Sequence, residues 1–169
     1  MYLQTERLTL RLFSPQYEDA FIIGIKDREL RRMYGFPAEL SKGTASKIFA
    51  HFSALSTALS LVRKADNILV GFLLDVPAEL PELMLHTLPE GGRTLAFATF
   101  ATFQRQGYMR EAIQTVIEQH ANARDASYLH GGHFPFNEPS QRLLASLGFT
   151  TYGQHTVGTH VIIDEIRIL

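Results

Sequence analysis

The amino-acid sequence predicts a mixed α/β domain, on three observations. Strand-like and helix-like patterns follow one another in the order β-α-α-β-β-β-α-β-α-β-β. Two β-rich runs within Leu59–Val76 flank Lys64-Ala65-Asp66-Asn67, whose Asp and Asn suit a turn, so at least one hairpin is expected. Arg110–Arg124 sets Ile113, Val116, Ile117, His120, Ala121 and Arg124 at the 3.6-residue period of a helix.

The remaining elements follow in chain order. Arg7–Phe13 alternates charge or Thr with Leu, as a strand does. Ser14-Pro15 then announces a helix, with Ser14 as cap, Glu18 and Asp19 near the positive end of the dipole, and Tyr17, Phe21, Ile25 and Leu30 as its apolar stripe. A second helix is expected over Thr44–Leu59, facing inward through Ile48, Phe52, Leu55 and Leu59. Residues 77–92 hold three prolines and Gly91-Gly92, and read as an exposed loop or a short extra strand at Leu83–His86. In Thr94–Phe103 the spacing of Phe97, Phe100 and Phe103 hints at a helix, whereas the Thr and Phe content and the flanking glycines favour a buried strand. Ser127–His133 reads as a strand, and Pro139–Leu147 as a short helix closed by Gly148. Phe149–Tyr152 and His160–Leu169 then form two last strands around a Gly153–Gly158 connection.

Composition narrows the function classes. A chain of 169 residues without repeats or linkers is expected to form a single domain over 1–169. It contains no cysteine, which excludes disulfides, thiolate metal sites and a cysteine nucleophile. With 16 Lys+Arg against 17 Asp+Glu, the net charge of −1 argues against a partner held by phosphate neutralisation, so no nucleic acid is expected. No apolar run reaches the length of a membrane span, and a cytoplasmic location is the expectation.

The chemistry concentrates in Phe103–Ala112. A one-glycine loop there joins a buried strand to the N-terminus of a strong helix, where unpaired N–H groups and the helix dipole favour an anion. Arg105 and Arg110 add charge, and Gly107 lets the backbone approach a phosphate without a Cβ. The plain alternative is a turn with solvated arginines. A single glycine supports neither a P-loop nor a GxGxxG motif.

Gln104-Arg105-Gln106-Gly107-Tyr108-Met109 resembles the (Q/R)-x-x-G-x-(G/A) pyrophosphate loop of the GNAT superfamily of N-acetyltransferases. Leu3–Arg11 resembles the N-terminal strand of the branch that includes the ribosomal-protein alanine N-acetyltransferases. Val70-Gly71-Phe72 is similar to the family's third strand, and Asn137–Ser140 with Leu147-Gly148-Phe149 is similar to that branch's N-x-x-S…GF segment. The resemblance runs from Leu3 to Phe149 and implies a single mixed, mostly antiparallel sheet flanked by helices, with Thr94–Phe103 as strand. It implies acetyl-CoA as co-substrate and no metal. Backbone groups of Thr99, Phe100 and Ala101 would pair with the pantetheine arm as an added strand. Amides of Arg105, Gln106, Gly107, Tyr108, Met109 and Arg110 would hold the pyrophosphate. Asn137 and Ser140 would lie near the thioester end, beside the split of neighbouring strands, with Ser140 as catalytic acid for the departing thiolate. The acceptor would be an amine-bearing small molecule or a protein N-terminus, with no membrane partner and with a homodimer left open.

Three positions depart from the pattern. Met109 stands where Gly or Ala is usual. Leu144 replaces the tyrosine that many members use as general acid, which is why Ser140 is the candidate. Counting back from Gly107, the frequent glutamate base falls at Thr94, leaving Glu79, Glu82, His86, His130 and His133 as bases placed by no motif. A lysine-like amine is neutral about once in 2,500 molecules at pH 7, an α-amine about one time in ten, so an absent base is less damaging for an α-amine. A catalytically weak acyl-CoA-binding module is the rival reading. His130-Gly131-Gly132-His133 is too loosely spaced for a metal-site motif and reads as a strand-end pair.

Overall fold

A computed structural model describes residues 2–169. Among the described residues, eight strands form one mixed sheet in the order β1-β2-β3-β4-β5-β6-β8-β7, accompanied by six α-helices. The strands are β1 Tyr2–Gln4, β2 Leu8–Leu12, β3 Ala58–Arg63, β4 Ile68–Pro77, β5 Gly92–Thr99, β6 Tyr128–His133, β7 Thr150–Val157 and β8 His160–Ile168. The helices are α1 Glu18–Ile25, α2 Arg28–Tyr34, α3 Lys42–Ala54, α4 Glu82–Leu85, α5 Tyr108–Ala123 and α6 Glu138–Ser146. Pairing is parallel between β5 and β6, and antiparallel in β1–β2, β2–β3, β3–β4, β6–β8 and β7–β8. Among the described residues, no helix is long and apolar enough to cross a membrane.

The chain divides into two compact units, one running up to Leu74 and including Phe97–Thr115, the other made of Asp75–Ala96 and Val116–Leu169. The first unit has an aromatic core. Phe21 meets Phe13, Phe49 and Phe52 edge-to-face at 5.5, 5.5 and 5.4 Å, and Phe72 and Phe100 join the same cluster. Edge-to-face pairs set the positive ring edge against a negative face, which adds direction to apolar burial. A Cβ at Gly71 would stand 2.3 Å from the Ala98 carbonyl, so glycine is what lets β4 and β5 approach there. In the second unit Tyr128 packs with Leu80 and Ile166, and its ring covers Gly92, where a Cβ would fall 1.9 Å from it.

Several expected elements are corrected. The stripe Tyr17–Leu30 is not one helix: Pro15–Tyr17 is a 3-10 turn, and α1 and α2 are separated by Asp27, whose carboxylate accepts the Leu30 N–H at 2.8 Å and starts a new helix. Ser14 makes no side-chain cap. The second helix ends at Ala54, because Leu55 turns extended and Leu59 belongs to β3, whose first five residues are all buried. Residues 82–85 are a one-turn helix, neither strand nor loop, with Leu83 exposed. The strand from Thr94 stops at Thr99 and gives way to a 3-10 turn over Ala101–Phe103. Ala121 on α5 faces solvent, and Arg124 lies beyond the end of α5 at φ 54°, also exposed. The first C-terminal strand continues to Val157, so only Gly158-Thr159 turns between it and β8.

Candidate active site

The one-glycine loop of the first unit is held open by a bracket from the N-terminal hairpin. Arg105 and Gly107 both adopt positive φ, 60° and 80°. Such a backbone turns successive N–H groups to one side. Among the described residues, the N–H groups of Arg105 to Arg110 have no acceptor, and the first intrahelical bond of α5 is Glu111 N–H to the Gly107 carbonyl, 3.1 Å. Six amides and a helix N-terminus thus stand ready for an anion. Tyr108 and Met109 bury their side chains, so these two residues offer backbone alone, which is why Met is tolerated at the last loop position. Arg105, Gln106 and Arg110 are exposed.

Arg7 and Glu111 form the bracket, and neither was singled out from the sequence. Arg7 Nη1 donates to the Gln106 carbonyl at 2.9 Å, and its Nε and backbone N–H each donate to Glu111 at 2.7 Å. The Thr5 hydroxyl donates to the same carboxylate. The Arg7 guanidinium also lies 4.6 Å from the centre of the Tyr108 ring. Burial works to raise the Glu111 pKa, but the donors Thr5 and Arg7 outweigh it and hold it below the ordinary glutamate value. A signal existed: Thr-Glu-Arg between β1 and β2 and Arg-Glu at the start of α5 are complementary in charge, but only the fold brings them together. Glu111→Ala removes the acceptor of three hydrogen bonds. It should weaken acetyl-CoA binding about tenfold, roughly 1.4 kcal/mol, by loosening the loop. Unchanged affinity in calorimetry would show that the loop keeps its shape without the bracket.

The three strand-end residues differ in what they offer. Phe100 donates its N–H to the Val70 carbonyl at 2.9 Å and accepts from Phe103 N–H at 2.8 Å, and its side chain is core. Its backbone is therefore engaged within the protein. The Ala101 carbonyl accepts the Gln104 N–H at 3.3 Å as the 3-10 turn begins, while the Ala101 N–H has no backbone acceptor among the described residues. Gln104 Nε2 donates to the Thr99 carbonyl at 3.1 Å.

In the second unit, Asn137 caps α6: its Oδ1 accepts the Ser140 N–H at 3.2 Å. The Ser140 hydroxyl has no partner among the described residues and is half-buried, so capping is performed by Asn137 and the serine oxygen is left available. Leu144 is fully buried, and a Cβ on Gly131 would stand only 2.9 Å from one of its methyl groups. The β5–β6 ladder holds three pairs and stops at Thr94↔His130. Thr94 Oγ1 lies 3.0 Å from His130 Nδ1, and His130 Nε2 is 2.9 Å from Asp164 Oδ1. His133 is bound instead to the Phe134 carbonyl and Glu165. Glu79, Glu82 and His86 are exposed on or beside α4. Among the described residues, no group of three or more His, Asp or Glu side chains is arranged to hold a metal ion.

Residues 7–150 match the family model described as an acetyltransferase (GNAT) domain. No curated protein sequence matches the chain. Among solved structures, an acetyltransferase of the GNAT family from Bacillus anthracis superposes with a TM-score of 0.83 at 16% identity, covering 99% of this chain and 98% of that one. A ribosomal-protein-S5-alanine acetyltransferase from Vibrio fischeri gives 0.71 at 16% identity, covering 99% and 96%. RimL, a ribosomal L7/L12 alpha-N-protein acetyltransferase solved in complex with coenzyme A, gives 0.75 at 16% identity, covering 100% and 98%.

Proposed function

The chain belongs to the GNAT acetyltransferase family and is an acetyl-CoA-dependent acyltransferase, and from that premise we propose that its acceptor is a peptide or protein α-amine. The same reading takes residues 1–169 as one catalytic domain working in the cytoplasm. The observation that carries the coenzyme side is the row of six acceptor-free amides at Arg105–Arg110, braced by Arg7 and Glu111. This row holds the pyrophosphate, with the Arg105 and Arg110 side chains contributing charge. The backbone of Thr99 and the N–H of Ala101 pair with the pantetheine arm.

Chemistry then needs little beyond positioning, because a thioester is already activated. The neutral amine attacks the carbonyl carbon, and an N–H at Thr99 or Ala101 stabilises the oxyanion. The C–S bond breaks with its electron pair going to sulfur, the Ser140 hydroxyl protonates the thiolate directly or through water, and the surplus proton on nitrogen passes through water to restore the serine hydroxyl. Support for Ser140 is its unpartnered, half-buried oxygen on the first turn of α6. Support for an α-amine is that ribosomal-protein N-acetyltransferases share the fold.

Thiol release with a panel of peptides and small amines tests the acceptor. A peptide α-amine should turn over faster at pH 7 than the same peptide with only its lysine ε-amine free. Equal turnover of the two across pH 6–9 would refute the preference. Ser140→Ala should leave acetyl-CoA affinity unchanged and lower kcat about 100-fold, at the low end of general acid effects. Unchanged turnover would remove Ser140 from this role.

A further inference from the structure

Thr94, His130, Asp164 and His155 form one continuous hydrogen-bonded row inside the second unit. The Thr94 hydroxyl lies 3.0 Å from His130 Nδ1, His130 Nε2 lies 2.9 Å from Asp164 Oδ1, and His155 Nδ1 lies 2.8 Å from Asp164 Oδ2. Asp164 is completely buried and His130 is 5% exposed, whereas Thr94 is only half-buried. A carboxylate only accepts, so His130 carries its proton on Nε2 and turns the Nδ1 lone pair to the Thr94 hydroxyl. Burial works to raise the Asp164 pKa, yet the bonds from His130 and His155 hold it below the ordinary aspartate value. The row therefore contains a histidine of set tautomer, a buried anion behind it to hold an imidazolium, and a reachable hydroxyl in front. The order hydroxyl–imidazole–carboxylate is the arrangement in which a hydroxyl passes a proton to a histidine.

We propose that this row is the proton acceptor of acetyl transfer, with Thr94 meeting the acceptor ammonium and His130 receiving the proton through it. The proposal rests on the N-acetyl-transfer reading above. Before attack, one N–H bond of the ammonium breaks and leaves its electron pair on nitrogen. That proton goes to Thr94 Oγ1 as the hydroxyl passes its own to His130 Nδ1. The free amine then forms the C–N bond, the C–S bond breaks, and nitrogen loses a second proton while the thiolate gains one. One proton is released overall, from the His130 imidazolium to solvent. Asp164 is a positioning residue, and so is His155. Facing His130 are the Thr94 hydroxyl from β5 and the Asp164 carboxylate from β8, with His155 of β7 behind the carboxylate.

Thr94→Val keeps a β-branched shape suited to the strand and removes only the hydroxyl; Thr94→Ser keeps the hydroxyl. Both are compared with His130→Gln and the unaltered enzyme, reading acetyl-CoA affinity by calorimetry and kcat/KM on a lysine-like amine from pH 6 to 9. The expected result is about a 100-fold loss of kcat/KM at pH 7 for Thr94→Val and His130→Gln. That loss shrinks as pH approaches the amine's own pKa, affinity for acetyl-CoA is unchanged, and Thr94→Ser stays near the unaltered rate. Should His130→Gln fail to fold, the Thr94 pair decides alone. Full activity in Thr94→Val, a loss independent of pH, or a serine variant as poor as the valine one overturns the proposal. If the unaltered enzyme binds acetyl-CoA but acetylates no amine, the functional reading beneath it fails instead, and the proposal with it.

Discussion

Gly107→Glu is expected to abolish measurable acetyl-CoA binding while leaving the chain folded. Gly107 sits at φ 80°, where a residue with a Cβ is strained by roughly 1–2 kcal/mol. The new Cβ would stand 3.3 Å from Arg7 Nη2, so the side chain enters the bracket that shapes the loop. Its carboxylate would also place negative charge beside amides turned toward a pyrophosphate. Strain, crowding and like-charge repulsion act together, and an affinity loss of at least about 100-fold, roughly 2.7 kcal/mol, is the expected calorimetric result. The melting temperature should fall by only a few degrees, since the strain alone is small for a chain of this length. Retained affinity would mean that the phosphates are held elsewhere.

The second large effect concerns stability. Asp75 is completely buried and accepts from His120 Nε2 at 2.9 Å and from Arg93 Nε at 2.8 Å, while His120 Nδ1 reaches Asp125 at 2.6 Å. With a carboxylate at each ring nitrogen, above all Asp75, the His120 pKa is raised. Burial works to raise the Asp75 pKa, but His120 and Arg93 prevail and hold it below the usual aspartate value. Removing one partner of a buried charge cluster strands the others, so Asp75→Ala should cost about 3–5 kcal/mol. For a chain of this size that lowers Tm by roughly 10 °C. The pH dependence has two limbs of opposite sign. The raised His120 pKa contributes stability fully below the unfolded histidine value of about 6.5, and that contribution is lost as pH rises through the higher folded value. The lowered Asp75 pKa contributes above the unfolded value of about 3.9 and is lost as pH falls through the lower folded value. Melting curves of the unaltered protein should therefore peak between the limbs, and Asp75→Ala should flatten both. A variant whose Tm matches the unaltered protein throughout would show that the cluster is not coupled to folding.

Much of the fold was legible because its signals are local. The Lys64–Asn67 turn forms as its residues suggest, with Asn67 at φ 58°, and the α5 stripe buries Ile113, Val116, Ile117 and His120 as its period requires. The failures share a cause: apolar spacing continues across a backbone break that another residue dictates. Asp27 restarts a helix within the Tyr17–Leu30 stripe, and Leu59 fits a helical period while its neighbours Ala58 to Val62 pair in the sheet. At the candidate site, the loop glycine and the Asn137–Ser140 helix start stood out as short motifs. Arg7–Glu111 and Thr94–His130–Asp164 did not, because their members lie 104, 36 and 34 residues apart and meet only through strand order. Phe100 was read as part of a backbone row; its register against Val70 sends its N–H to β4.

The most direct test combines calorimetry with a single-turnover assay using acetyl-CoA labelled in its acetyl group and a peptide with a free α-amine. The unaltered protein should bind acetyl-CoA and release one coenzyme A thiol for each labelled acetyl found on the peptide nitrogen, and Gly107→Glu should do neither. Tight binding with no label transferred to this or any other amine would leave an acyl-CoA-binding module in place of an N-acetyltransferase, and contradict the account.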